Sequence, residues 1–334
     1  MLGATHFAEK CKKTPLDSVS FIEMARNLRY VPPEGGLFEV TTRTVQGRFL
    51  LRPSEKLNTI ILGILGRAQR LYSVDIHSFI VLSNHFHLLL SLESPHQLSA
   101  FMTYFNGNLG KEVIRHVDGW SDTVWSRRFR AIWVPPHEYE QVDRLRYLLA
   151  NGPKDGLVAS PRDWPGVTAL PAMLNNEPLE GLWFNRSKEY NSRREGKAFH
   201  SHDFANSETV TLTPLPCWAH LGPAEYSERI LELVADIEHE TAQHYANADT
   251  EPLGVRRILR QRQLDRPKRL KKSPAPFCHA ASKKVRRAFW EAYSLFYAAY
   301  REAAEKLKAG DLSAVFPQGS FPPPQPFRAA FDPG

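Results

Sequence analysis

An α+β fold is predicted by three features of the sequence. Strand-like and helix-like segments alternate in the order β-α-β-β-α-β, a two-residue punctuation (Ser83-Asn84) separates the middle strands, and one more helix follows the last strand. This is the order of the split βαβ, or ferredoxin-like, arrangement: a four-stranded antiparallel sheet with helices on one face. The opposite face is left for a ligand or for the additional helix.

Residues 1–32 form a lead-in without a defined pattern, ending at Pro32-Pro33. Leu37 to Thr44 (LFEVTTRT) is rich in β-branched residues and sets Phe38, Val40 and Thr42 against Leu37, Glu39 and Thr41, as a strand does. From Ser54 onward, Leu57, Ile60, Ile61, Ile64, Leu65 and Ala68 recur at helical spacing. Strands are expected over Val74–Leu82 and His85–Leu92, joined by a hairpin turn in which Asn84 could take a positive φ. A helix over about His96 to His116 carries Leu98, Phe101, Met102, Phe105 and Leu109 on one side; a strand Phe129–Val134 and a helix from Pro136 to Asn151 complete the unit. These boundaries define an expected domain over 33–172. The remainder, 173–334, reads as a mainly helical extension: Pro, Asn and Arg are frequent over 171–220, helical stretches span Ala224–Tyr245 and Ser282–Ala309, and the tail FPQGSFPPPQPF is proline-rich.

The composition narrows the function. The chain has 334 residues, 42% of them hydrophobic, enough for a packed core. A net charge of +7 with a pI near 9.3 favours a polyanionic partner, most simply nucleic acid. Three separated cysteines (Cys11, Cys217, Cys278) offer neither a disulfide framework nor a Cys-x-x-Cys metal knuckle, as expected in a reducing compartment. No signal-peptide pattern or membrane-length apolar run is present, so a cytoplasmic protein without membrane attachment is expected.

The chemistry-bearing segment is SNHFHLLL, residues 83–90. Alternation along a strand turns His85 and His87 to one face and Phe86, Leu88 and Leu90 to the other. Two neighbouring imidazoles are half a metal site, although two surface histidines in a hairpin would read the same way. In RLRYLLANGPKDGLV, Tyr147 and Asn151 stand at i and i+4 and share one helix face. They can serve as nucleophile and oxygen-donating ligand, or as a core aromatic and a helix-ending residue. His77, His116 and His137 read as structural or surface histidines.

Taken together, LFEVTTRTVQGRFLL, IVLSNHFHLLL, VWSRRFRAIWV and YLLANGPKDGLVASPRDWP, in this order over roughly 37–170, resemble the HUH-type tyrosine transposases, and most of all the REP-associated tyrosine transposases. Ser83 stands where the family commonly has Pro before Asn-His, and Gly152 displaces the family's helix-end proline by one position, to Pro153. The resemblance implies that His85, His87 and Asn151 hold Mg²⁺ or Mn²⁺ and that Tyr147 is the nucleophile. It implies a 5′-phosphotyrosine intermediate, a free 3′-hydroxyl, a single-stranded DNA substrate with a hairpin and no nucleotide cofactor, in a monomer or homodimer.

DNA-contact candidates follow from placement. Arg43 and Arg48 flank the first strand, and Trp125, Arg127, Arg128 and Phe129 precede the fourth. The run from Arg256 to Lys272 holds nine Lys/Arg, among them Arg256, Arg257, Arg260, Lys268, Arg269, Lys271 and Lys272, against the single Asp265. Arginines neutralise phosphates and aromatic rings stack on unpaired bases; core packing for the aromatics and a solvated basic loop are the plainer alternatives. Three functional readings remain: a strand-cutting and rejoining enzyme, active as a transposase or domesticated; a DNA-binding regulator on the same fold; and a metal-dependent phosphodiesterase that uses water. A replication initiator or relaxase is a narrower variant of the first.

Overall fold

A computed structural model describes residues 28–267 and 276–323. Most of the lead-in, the basic residues Lys268, Arg269, Lys271 and Lys272, and the end of the proline-rich tail lie outside the described residues.

The predicted order is observed: β1 (Gly36–Arg43), α1 (Glu55–Tyr72), β2 (Asp75–Leu82), β3 (His85–Leu92), α2 (Pro95–His116), β4 (Arg130–Val134) and α3 (Glu138–Leu149). The strands lie in the order β2-β3-β1-β4, each neighbouring pair antiparallel. Both long helices begin as the sequence signals. Ser54 and Ser94 have extended backbone, and their side chains accept hydrogen bonds from Leu57 N and Gln97 N, satisfying N–H groups that the first turn leaves open.

The alternation of β1 and β3 divides the sheet into two unlike faces. Phe38, Val40, Phe86, Leu88 and Leu90 are fully buried, and Phe86 meets Phe105 of α2 edge to face at 5.3 Å. Directly opposed residues of an antiparallel pair point the same way, so the partners Arg43↔His85 and Thr41↔His87 place all four on the other face, together with Glu39. Helix α3 crosses this second face, packing on β2 and β3 through a side that buries Leu145, Leu148 and Leu149.

The hairpin turn differs from expectation. Leu82 pairs with His85, so the turn does have two residues, but neither Ser83 nor Asn84 has positive φ. Asn84 instead uses its side chain: Nδ2 donates to Gly47 O at 3.1 Å, and Oδ1 accepts from His85 Nδ1 at 2.6 Å. The turn is held by side-chain bonding to the loop after β1, and no left-handed residue is needed.

Beyond α4 (Asn151–Lys154) come α5 (Leu170–Asn175), β5 (Leu179–Phe184), α6 (Arg186–Arg194), β6 (Ala205–Val210), α7 (Pro223–Ala248), α8 (Val255–Arg260) and α9 (Lys283–Lys308). The boundary expected at residue 172 falls inside α5, and Met173, Val210, Trp218, Ile230 and Val234 join the same core as the sheet. The β5–β6 hairpin, which the aperiodic stretch 171–220 did not reveal, lies on α1. Residues 278–279 extend the sheet beside β4, where His279 N donates to Trp133 O at 2.8 Å, and Phe289 of α9 stacks on Trp133 at 4.9 Å. Among the described residues no helix is long and apolar enough to cross a membrane.

Two glycines explain how closely the hairpin approaches α1. A Cβ on Gly63 would lie 2.1 Å from the Leu182 carbonyl carbon, and one on Gly66 2.7 Å from Thr209 O. Glycine in a helix interior is normally unfavourable, so its use here reflects backbone-to-backbone contact. Gly63→Ala is expected to cost about 1–3 kcal/mol, the range for overpacking. Chemical denaturation should record this as a lower unfolding midpoint; an unchanged midpoint would mean that the hairpin is not held against α1.

Candidate active site

The second sheet face gathers its polar groups around β3. His85 and His87 are 8% and 7% exposed, with ring centroids 5.1 Å apart. Each ring has its Nδ1 engaged: His85 Nδ1 with Asn84 Oδ1 at 2.6 Å, His87 Nδ1 with Glu39 Oε1 at 2.7 Å. With the proton on Nδ1 facing an oxygen acceptor, each neutral ring keeps its lone pair on Nε2. Burial, followed by the charges of His87 and Arg43, drives the His85 pKa well below its ordinary value despite the opposing charge of Glu39, so this ring is neutral.

Glu39 is the residue that sequence reasoning missed. It is 3% exposed and touches His87, His279 Nε2 at 2.5 Å and Arg144 NH1 at 3.7 Å. The contact with His279 has ion-pair distance but lacks the direction of a good hydrogen bond. Burial alone would raise the Glu39 pKa; His279 and His87 outweigh it and hold the carboxyl well below the usual carboxylate range. A carboxylate behind an imidazole fixes the ring's tautomer and orientation and raises its basicity, as in many metal sites. The one sequence signal was a charged residue on an inner strand, on the histidine face. Nothing in the sequence pointed to His279.

Tyr147 stands over this group, its ring 5.7 Å from that of His87 at an interplanar angle of 75°. Lys154 Nζ lies 3.9 Å and the Arg144 guanidinium 4.8 Å from the centre of the same ring. Burial raises the Tyr147 pKa, as do the charges of Glu39 and Asp155, while Arg144 and Arg43 act against them. Asn151, 2% exposed, follows one turn later. Its Nδ2 donates to Tyr147 O at 2.9 Å and Leu148 O at 3.4 Å, leaving Oδ1 as the acceptor of the amide. The helical path continues from α3 into α4 rather than ending at Gly152-Pro153; Pro153 lies in the first turn of α4, where a missing N–H costs nothing.

Among the described residues no group of three or more His, Cys, Asp or Glu could hold a metal ion. A third protein ligand therefore has to be of another type. Two imidazole Nε2 lone pairs and an amide oxygen are a chemically suitable N₂O set for Mn²⁺ or Mg²⁺, and the available donors of His85, His87 and Asn151 fit it.

The DNA-contact candidates separate. Arg43 flanks His85 on the site face. Arg48 is engaged within the protein, donating to Leu264 O and Gln46 Oε1 with its guanidinium 5.4 Å from the Trp120 ring. Trp125 donates Nε1 to Asn106 O at 2.9 Å and packs edge-on against Phe86, on the far face of the sheet. Arg127 and Arg128 line a cleft on that far side with Phe129. Arg256, Arg257 and Arg260 are exposed on α8, which Ile258 anchors among Ile80, Leu82, Val158 and Trp164. Ile80 and Leu82 pair with His87 and His85, so α8 belongs to the histidine side. His77 is structural as expected, with Nδ1 2.9 Å from both Thr213 O and Pro214 O and Nε2 2.7 Å from Ser91 Oγ.

Residues 51–146 match the family model described as "Transposase IS200 like", in agreement with the resemblance carried by the sequence motifs. Among solved structures, the chain is similar to one described as "Structure of the REP associates tyrosine transposase bound to a REP hairpin" (18% identity, 46% of this chain and 86% of that one, TM-score 0.37). It is also similar to a putative transposase from Deinococcus radiodurans R1 (14% identity, 36% and 92%, TM-score 0.26). No curated protein matches significantly.

The raised pKa gives the phenol a testable property. Without added metal, Tyr147 should remain protonated beyond pH 10.0, its unperturbed value. The difference in phenolate absorbance between the wild type and Tyr147→Phe should therefore appear only at higher pH; a Tyr147 that ionises below 10.0 would contradict the described surroundings.

Proposed function

We propose that this transposase-like chain cuts and rejoins single-stranded DNA at hairpin-forming sites, with Tyr147 as nucleophile and a divalent metal held by His85, His87 and Asn151. The observation that carries this reading is the Tyr147 ring against His87, on the sheet face that His87 shares with His85.

A phosphodiester resists attack because its anionic oxygens repel an incoming nucleophile. Mn²⁺ or Mg²⁺ bound by these three residues would act as a Lewis acid on a nonbridging oxygen and orient the phosphate. The protein's own groups do the rest. Glu39 holds the His87 ring through Nδ1, and Asn84 holds that of His85, so both Nε2 atoms have fixed directions. Arg43 places a positive charge beside the histidines, where a phosphate would lie. Arg144 and Lys154 flank the Tyr147 ring and favour its anionic form against the burial that disfavours it.

In the step itself, Tyr147 Oη forms a bond to phosphorus and the bond from phosphorus to the 3′ oxygen breaks. The phenol loses its proton and the 3′ oxygen gains one, leaving a 5′-phosphotyrosine and a free 3′-hydroxyl. The covalent link conserves the energy of the broken bond, so the reverse attack by a 3′-hydroxyl rejoins a strand without a nucleotide cofactor.

The decisive experiment incubates the protein and Mn²⁺ with single-stranded DNA from the flanks of its own gene. Wild-type protein should form a covalent adduct that survives denaturing electrophoresis, and Tyr147→Phe should form none while binding DNA normally. A Phe variant that still cuts would indicate water as nucleophile; binding without cutting by the wild type would indicate a DNA-binding regulator. His85→Ala and His87→Ala should each abolish cleavage and keep most DNA affinity, because affinity comes largely from Lys and Arg contacts to phosphates.

Glu39→Gln tests the group behind the histidines. Losing the carboxylate should weaken Mn²⁺ binding by about 10–100-fold, as is typical when an outer partner of a metal-bound histidine is removed. Calorimetric titration with Mn²⁺ measures this, and unchanged affinity would mean that Glu39 does not support His87.

A further inference from the structure

A cleft of about 540 Å³ opens on the α2 side of the sheet, away from His85 and His87. Its lining comes from distant parts of the chain: Arg29 ahead of β1, Asn106 of α2, the 125–129 segment, Tyr300 of α9, and Ser320 and Phe321 of the returning tail. Three kinds of group meet there.

The first is flat aromatic surface, supplied by Trp125, Phe129, Tyr300 and Phe321. Two of these are fixed by hydrogen bonds: Trp125 Nε1 donates to Asn106 O at 2.9 Å, and Tyr300 Oη donates to Phe321 O at 3.1 Å. The second is positive charge. Arg29, Arg127 and Arg128 line the cleft, and no carboxylate does. The Arg29 guanidinium lies 4.1 Å from the centre of the Phe129 ring and 5.5 Å from that of Phe321. Burial, with the charge of Arg128 adding to it, lowers the Arg29 pKa to about 10, which leaves it charged at neutral pH. The third is unused hydrogen-bonding capacity. Asn106 Oδ1 and Ser320 Oγ are buried and have no partner among the described residues, a costly condition unless a ligand completes them.

Planar walls, hydrogen-bonding groups and guanidiniums without carboxylates are the requirements of one ligand class. A nucleobase stacks on aromatic rings, presents polar edges, and carries phosphates on both sides. The cleft is also continuous with the candidate active site. Ser126 N donates to Arg43 O at 2.9 Å, and Arg43 is the β1 residue directly opposite His85. A strand can therefore pass from one face to the other around the end of β1.

We propose that this cleft is a subsite for an unpaired nucleobase of single-stranded DNA, with Arg29, Arg127 and Arg128 holding the adjoining phosphates and Asn106 Oδ1 and Ser320 Oγ meeting the base edge. The identity of the strand rests on the function proposed above; the chemistry of the cleft does not.

The test compares binding of the full chain, in metal-free buffer, to a mixed-sequence strand of about 30 nucleotides and to a strand of equal length made of abasic residues, which keeps every phosphate. The abasic strand should bind at least about fivefold more weakly, as expected for the loss of even one stacked base. In Tyr300→Leu and Phe321→Ser that gap should shrink by at least about threefold, while the abasic strand binds as it does to the wild type, which also shows that the variants are folded. A strand carrying 5-iododeoxyuridine should crosslink under ultraviolet light to peptides containing Trp125, Phe129 or Tyr300 of the unmodified protein. Equal affinity for the two strands overturns the proposal, as do crosslinks confined to other peptides, including the tail beyond residue 323. Neither measurement requires Tyr147 or metal. Absence of strand cleavage would therefore leave a positive result here intact, and a negative result here would leave the cleavage reading standing.

Discussion

An ionised carboxylate buried at the centre of a sheet is the constraint around which the candidate active site is organised. Removing Glu39 from water is costly, and only partners that hydrogen-bond to it or carry opposite charge offset the cost. Those partners come from three places: His87 on the neighbouring strand, Arg144 one turn before Tyr147 on α3, and His279 on the segment that extends the sheet beyond β4. Satisfying one carboxylate thus fixes the orientation of His87, draws the tyrosine helix onto the sheet and ties the C-terminal part of the chain to its first strand. Stability and site geometry share the same contacts.

The same economy governs the sheet as a whole. Its α2 face is packed with Phe and Leu, while the opposite face carries Arg43, Thr41, Glu39 and both histidines and is covered by α3 and α8. The covering elements are themselves polar where they meet the site. Tyr147 has cations near its ring, and α8 anchors itself with Ile258 while exposing three arginines. Helix α8 is thereby a rigid base for the start of the basic run, fixed further where Gln261 O and Asp265 O accept from Arg52 NH1 and Phe49 N.

Positive charge in this protein has more than one use. Arg67 and Arg70 pair with Glu208 to fasten the β5–β6 hairpin, and Arg186 bridges Glu112 and Glu189. Arg48 caps an internal carbonyl. The arginines whose surroundings lack a carboxylate are concentrated on the cleft side, where Arg29, Arg127 and Arg128 meet. A net charge of +7 does not distinguish these uses; the local partners do.

What the sequence determined by itself was periodic and local. The order of strands and helices, the two unlike faces of β3, the shared face of His85 and His87 and the spacing from Tyr147 to Asn151 all follow from side-chain geometry within one element. Helix caps at Ser54 and Ser94 were legible for the same reason. The tertiary structure decided everything that depends on residues far apart in the chain. Asn84 looked like a residue chosen for its backbone, yet its side chain has the task, because the loop carrying Gly47 lies beside it. Trp125 and Arg48 looked like DNA contacts, and the fold gave Trp125 a packing position at a cleft and Arg48 an internal carbonyl. The pairing of Glu39 with His279, and the meeting of Arg29 with Phe321, have no trace in any local pattern. They exist because burial of an unpaired charge or polar group is unfavourable, and the chain relieves it with whatever partner the packing brings within reach.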